Sequence, residues 1–382
     1  MHPNSSSTSS SDGPVRSDPR GGLATLGAML LCLIAADLLV GVVAGTPYGR
    51  DAAQVHQLTR YFDYGRSIEG KVLAMAGADG TAPHPLAQTG WIEPPAGQPE
   101  RLGQGQDLLV AVYGMSFAAN IAKHMQAQDK RIAVRFGGGP GAPLSHSYAM
   151  YTADRNRHEA NVIVLGVLAS SLPALVTMTH MTWNFEAPSP HFYPRYRVVD
   201  GKLSQYLSSV GSLSDLQTTI RNPPRWRALV AEIAAHDEFY DPFVFGSWSI
   251  DGSVLARLAR RGWGQSVKRG TIERFHNASG FTNELGLIDV THALVNAFIS
   301  QVRSDGKLPV VMAINDRGYA DHLHQVLAPI VTAGKAVYMS THELAPASES
   351  ANFVKDGHFT AAKDQLMGRN LIESINSRLD RQ

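Results

Sequence analysis

A chain of 382 residues with 44% hydrophobic and 18% charged side chains has material for one large or two ordinary buried cores. Its formal charge of +1, with no dense block of Lys and Arg, gives no electrostatic footprint for nucleic acid, so no nucleic-acid partner is expected. The single cysteine, Cys32, excludes an intramolecular disulfide and leaves the redox compartment undetermined.

Residues 1–22 are rich in Ser, Pro and Gly and cannot bury enough surface to order themselves, which predicts a disordered tail. Residues 23–45, LATLGAMLLCLIAADLLVGVVAG, are long enough to cross a hydrocarbon core of about 30 Å. Three readings compete for this run: an uncleaved signal-anchor, a signal peptide cut near Val43-Ala44-Gly45, or a buried helix of a soluble domain. Its length and the polar tail ahead of it favour a transmembrane signal-anchor, because signal h-regions are shorter. Asp37 is costly within such a span; it could mark a helix partner, or be simply protonated or tolerated near the outer third of the span. Arg16 and Arg20 precede the span while Arg50, Arg60 and Arg66 follow it, so the arginine count does not fix orientation.

Residues 46–106 read as a helical neck and linker. Val55, Leu58, Phe62, Ile68 and Val72 fall close to helical spacing, and residues 77–106 are rich in Gly, Pro and Gln. From residue 107 onward, β-rich runs alternate with helical ones. LLVAVYG precedes a helix over 117–128, RIAVRFG precedes a segment at about 147–158, and NVIVLGVLA follows. The alternation resumes with a helix over 288–303, a strand at 308–315, a helix over 321–333, a strand at 336–340 and a final helix after His358. Met367, Leu371, Ile375 and Leu379 give that last helix a sheet-facing stripe. The pattern predicts an α/β domain over 107–382, a flavodoxin-like three-layer α/β/α sandwich with a parallel sheet. Residues 181–286 fit no clean period and read as an insertion, either a substrate cover or a packing appendage or partner surface.

Two places carry chemistry. Ser116 follows the first strand in VAVYGMSFAAN, at the strand-end crevice where open α/β sheets bind ligands; it is a candidate nucleophile or, alternatively, the N-cap of the next helix. Asp356 and His358 flank Gly357 before the final helix, where a carboxylate can fix an imidazole's tautomer and the imidazole can take a serine proton.

These residues resemble the SGNH (GDSL-like) hydrolases and their O-acyltransferase relatives, membrane-anchored bacterial members included, over residues 107–170 and 308–378. VAVYGMSFAAN keeps the family's Gly and Ser as Gly114 and Ser116, with Met115 where an Asp is usual, and KDGHFTAAKDQLMGRN is similar to the family's closing Asp-Gly-His-Phe. The resemblance implies a Ser116–His358–Asp356 triad. It implies an oxyanion hole built from the Ser116 N–H, a glycine among Gly137, Gly138 and Gly139, and Ser170 or Ser171 where the family carries Asn. It further implies an esterase or O-acetyltransferase whose partner is an acylated envelope or exopolysaccharide carbohydrate, on a single-pass protein of the bacterial inner membrane with a periplasmic catalytic domain. A non-catalytic scaffold or glycan-binding module of the same fold is the alternative.

His322 and His324, two apart on a helix, point to different faces and do not suggest shared metal ligation. His236, Asp237 and Glu238 lie in the insertion and could line a substrate cleft, though solvated loop charges are the commoner outcome for such a group. With no HExxH, CxxC, P-loop or GxGxxG pattern, neither a metal nor another cofactor is expected. The α/β-hydrolase layout does not fit, since its nucleophile sits in Gly-x-Ser-x-Gly after a mid-sheet strand.

Overall fold

The computed structural model describes residues 19–44, 61–76 and 90–381. Most of the expected tail, and the neck and linker over 46–60 and 77–89, lie outside the described residues. Helix α1 (Pro19–Ala44) contains the apolar run, and its stretch Gly22–Val42 has a mean hydropathy of 2.3 with none of its residues fully buried in the protein. A second helix long and apolar enough to cross a membrane, within 284–304, is instead part of the domain's interior.

The centre is a five-stranded parallel sheet of β1 (Leu108–Gly114), β2 (Ile132–Gly138), β3 (Val162–Leu168), β8 (Leu308–Ile314) and β9 (Val337–Ser340), in the order β2-β1-β3-β8-β9. The period-2 geometry of a strand sends Leu109, Ala111 and Tyr113 to one face and Val110 and Val112 to the other, and both faces are buried. Helices α3 (Ser116–Gln128) and α10 (Ala361–Leu379) cover the Val110 face. Helices α4 (Leu144–Asp154), α8 (Leu287–Ser304) and α9 (His322–Ala333) cover the Leu109 face. Met367, Leu371 and Ile375 are buried as their spacing predicts.

The insertion has more regular structure than its sequence predicts. It holds an antiparallel hairpin, β4 (Arg195–Val199) and β5 (Lys202–Tyr206), then α5 (Leu213–Ile220), α6 (Pro223–His236) and the long α7 (Val254–Phe275), followed by the two-residue strands β6 (His276–Asn277) and β7 (Gly280–Phe281). Its own core gathers Phe185, Leu216, Trp226, Leu229 and Phe245, and into it packs α2 (Ile68–Ala76) through Ile68 and Val72. The described part of the neck is therefore joined to the insertion; buried Lys71 donates to the carbonyls of Tyr64 and Phe185 at 2.7 and 2.6 Å.

Asp237 is not a solvated loop charge. It is buried and accepts from the Thr177 and Thr182 hydroxyls at 2.6 and 2.7 Å and from the Met178 and Phe239 N–H groups, both at 2.8 Å. Burial raises its pKa even with these four donors opposing the shift.

Candidate functional site

Strand β1 delivers Ser116 through a close approach of helix to sheet. A side chain at Gly114 or Gly166 would place its Cβ 2.7 or 2.8 Å from the Ala118 Cβ, so two glycines on neighbouring strands leave the space that the first turn of α3 fills. Met115, extended at φ −118°, is the N-cap and is buried in the core; Ser116 is the first helical residue, so it is not the cap. Its hydroxyl is exposed and points to His358.

His358 reaches Ser116 because α10 and α3 lie side by side on one face. A Cβ at Gly368 would come within 2.8 Å of the Met125 nitrogen, which makes glycine necessary for that approach. Ahead of α10 a tight turn closes with Gly357 at φ +93°, the Gly357 N–H donating to Val354 and the Val354 N–H donating to the His358 carbonyl. The Ser116 Oγ lies 2.7 Å from His358 Nε2, and His358 Nδ1 lies 3.1 Å from Asp356 Oδ1. An acceptor carboxylate at Nδ1 puts the ring proton there and leaves Nε2 to accept from the serine hydroxyl. Asp356 also accepts from the His358 backbone N–H, at 3.1 Å. This backbone donation and that of the ring hold its carboxyl below the usual carboxylate range, although its side chain is 71% exposed. A second acid, Asp364, sits in the first turn of α10, buried and with Oδ1 unpartnered; burial pushes its pKa up to about 6 against the lowering influence of nearby His358.

Ser116 opens on a cleft of about 700 Å³ whose lining includes Gly138, Gly139, Pro140 and Phe136. Of the three glycines, Gly137 and Gly138 belong to the β2 ladder opposite Tyr113 and Gly114, and Gly137 packs against Tyr113. Gly139 is the first residue past the strand and lines the cleft. Ser170 and Ser171 are engaged elsewhere: the Ser170 N–H donates to Asp316 Oδ1 at 3.0 Å, and the buried Ser171 hydroxyl donates to the Leu168 carbonyl at 3.1 Å.

The opposite wall comes from residues 90–96, a stretch whose Gly and Pro content reads as linker. Gly90, Trp91, Glu93, Pro94, Pro95 and Ala96 face the cleft. The segment is pinned at both ends. His146 Nε2 donates to the Gly90 carbonyl at 2.7 Å, while Arg135 Nη1 donates to the Gln98 and Pro99 carbonyls and Gln98 accepts from the Phe136 N–H. Arg135 is itself fixed by a buried bidentate pair with Asp154 at 2.7 and 2.6 Å, and Tyr113 donates to the same carboxylate at 2.7 Å. Burial alone would raise the Asp154 pKa, but the donors outweigh it and hold the carboxyl below its ordinary value.

Behind the glycine turn lies a layer of buried histidines that the sequence pattern does not signal. A Cβ on Gly139 would sit 3.3 Å from His146 Cε1, one on Gly141 3.9 Å from His180 Nε2, and one on Gly90 2.6 Å from His191 Nδ1. Burial lowers His146 and His180 to about 4 and His191 well below its usual value, so all three are neutral at pH 7. Scattered over 45 residues of sequence, they carry no motif.

His322 and His324 have separate partners, His276 at 2.9 Å and the Tyr338 hydroxyl at 3.1 Å. Among the described residues, no group of three or more His, Cys, Asp or Glu is arranged to hold a metal ion. Comparison with protein-family models and with curated protein sequences finds no match for this chain.

Proposed function

We infer that the protein is a serine esterase or O-acyltransferase working by double displacement. The observation that carries the reading is the unbroken relay from Ser116 Oγ to His358 Nε2 at 2.7 Å and from His358 Nδ1 to Asp356 Oδ1 at 3.1 Å, at the mouth of a cleft. The two groups come from segments 242 residues apart in sequence. In this mechanism the Ser116 oxygen attacks the ester carbonyl carbon as His358 Nε2 takes its proton. The oxyanion receives hydrogen bonds from the Ser116 N–H and the Gly139 N–H, and collapse expels the alcohol, protonated by His358. Water or a sugar hydroxyl then attacks the acyl-enzyme, giving its proton to His358, which returns one to Ser116.

The strand order supports a flavodoxin-like sandwich. The likeness of Gly114, Ser116, Asp356 and His358 to the SGNH motifs supports an acylated carbohydrate of the cell envelope as substrate, and Trp91, Phe136, Pro94 and Pro95 give the cleft an apolar wall suited to a sugar face or acyl methyl. Helix α1 supports a single-pass inner-membrane anchor, and an envelope substrate supports a periplasmic domain.

The test is labelling of the full chain with a serine-directed fluorophosphonate, followed by mapping of the modified residue. Modification at Ser116, abolished in Ser116→Ala and in His358→Ala, is expected. An unreactive Ser116 in folded protein overturns the catalytic reading and leaves the scaffold or glycan-binding alternative.

A further inference from the structure

The one acidic residue within the apolar run of α1 is not left to lipid. Asp37 Oδ1 accepts from the Ser253 hydroxyl at 2.9 Å and from the Leu255 N–H at 2.8 Å, so it sits on the N-terminal end of α7, where unsatisfied N–H groups favour an acidic partner. The contact continues in apolar form: Val40 packs with Val254, Phe62 and Leu258, and Gly41 lies against Val254. This places the start of α7 at a definite height on α1. The stretch Gly22–Val42 spans about 31 Å as a helix, close to the thickness of a hydrocarbon core of about 30 Å. Asp37 lies about 7 Å short of its end. Any domain bonded to Asp37 is drawn to, and partly below, the boundary at which α1 leaves the bilayer.

The surface presented there is built for that position. Trp248 and Ile250, on the turn leading into α7, are 55% and 44% exposed. The charged groups on the same stretch are turned inward: Asp251 pairs with Arg260 and accepts from Ser67, and Arg257 pairs with Asp63 at 3.2 Å and donates to the Asp251 carbonyl. An exposed Trp beside an exposed Ile, with no outward charge between them and continuous with an apolar helix, has the composition of a membrane-interface segment.

We propose that residues 247–255 form a second membrane contact, a lipid-inserted turn that, with the Asp37 cap, locks the folded domain at the bilayer surface in one orientation. The occupant of this face is the headgroup and upper acyl region of the leaflet at the C-terminal end of α1. The proposal rests on α1 being a retained anchor and is independent of the Ser116 chemistry.

The experiment uses the full chain with Cys32→Ser, reconstituted in vesicles of equal phosphatidylcholine and phosphatidylglycerol. A nitroxide is placed singly at Ile250→Cys, at Trp248→Cys, at Leu38→Cys in α1 and at Glu373→Cys on the exposed face of α10. Collision with oxygen, which partitions into lipid, is compared with collision with a water-soluble nickel chelate. The expected result is a lipid signature at 38, 248 and 250 and an aqueous one at 373. Lipid at 38 with water at 248 and 250 overturns the proposal while leaving the anchor intact. Water at 38 as well removes the anchor and the proposal together. Shielding of 248 and 250 from both reagents shows a protein surface covering the turn and overturns the lipid assignment.

Discussion

The ring of Phe117 lies stacked on the ring of His358, centroids 4.6 Å apart and planes 25° apart. The residue after the candidate nucleophile therefore holds the candidate base, and Phe117 in turn packs nearly perpendicular to Phe359, centroids 5.3 Å apart. Such aromatic contacts contribute about 0.5–1.5 kcal/mol beyond burial. Phe117→Leu, which keeps an apolar group against the sheet, is expected to lower kcat for an aryl acetate by roughly 3- to 10-fold with KM little changed, since 1.4 kcal/mol is about ten-fold in rate. Phe117→Tyr should restore most of the loss. An unchanged kcat in Phe117→Leu removes the positioning role.

Asp356 illustrates how an exposed carboxylate keeps a defined state. The His358 N–H groups stabilise its charged form and lower its pKa from the ordinary carboxylate value, so protonation requires a lower pH than for a free Asp. Its contribution to activity is thus expected to be complete across neutral and mildly acidic pH. Asp356→Asn should reduce kcat by about 10⁴-fold throughout that window, the size seen when a triad carboxylate is replaced by an amide. A loss of less than ten-fold, measured by aryl-acetate turnover from pH 5 to 8, would show that solvent alone orients the ring.

The sheet and the two loops that meet were legible because they rest on local signals. β-rich runs alternate with helical stretches, and Gly114-Met115-Ser116 and Asp356-Gly357-His358 sit at element boundaries where glycine permits sharp turns. The juxtaposition itself is tertiary: it depends on α3 and α10 packing through Gly368, a residue unremarkable in sequence. The cleft wall at 90–96 was illegible for a different reason. Proline and glycine mark an irregular backbone, but what fixes this one is hydrogen bonding from His146 and Arg135, more than 35 residues away. Asp237 was misread on the same ground, because loop position predicts solvent only when no hydroxyl cluster such as Thr177 and Thr182 waits to bury the carboxyl.

The three glycines at the C-terminal end of β2 are not equivalent, and substitution separates Gly138 from Gly139. A Cβ at Gly138 would fall 1.9 Å from the Gly114 carbonyl oxygen, a backbone atom of the neighbouring strand that cannot move without breaking the ladder. Gly138→Ala is expected to destabilise by several kcal/mol and to yield little folded protein. At Gly139 the nearest atoms are Gly90 Cα at 3.1 Å and the His146 ring at 3.3 Å, a contact that a small shift of the 90–96 wall relieves. Gly139→Ala should fold with a thermal midpoint only slightly lowered, and its effect should appear as a changed KM for the acyl substrate because the cleft wall moves. Equal destabilisation by the two variants, measured by thermal unfolding, would contradict this distinction.

Asp364 provides the pH signature of the site's scaffold. Its pKa rises from 3.8 to about 6, chiefly through burial, so the folded protein holds a proton that the unfolded chain releases. Between pH 4 and 6 the native state therefore binds more protons than the unfolded state, and stability falls as pH rises through that window before levelling off above it. The displacement corresponds to about 3 kcal/mol at most. Asp364→Asn keeps the shape and removes the titration. It should match the parent near pH 4 and exceed it in thermal midpoint by a growing margin up to pH 6–7, with the margin constant thereafter. The same variant removes a negative charge near His358, so any change in aryl-acetate turnover should follow the same window. A stability gain that is identical at pH 4 and pH 7 would show that packing, not the proton, accounts for the effect of the substitution.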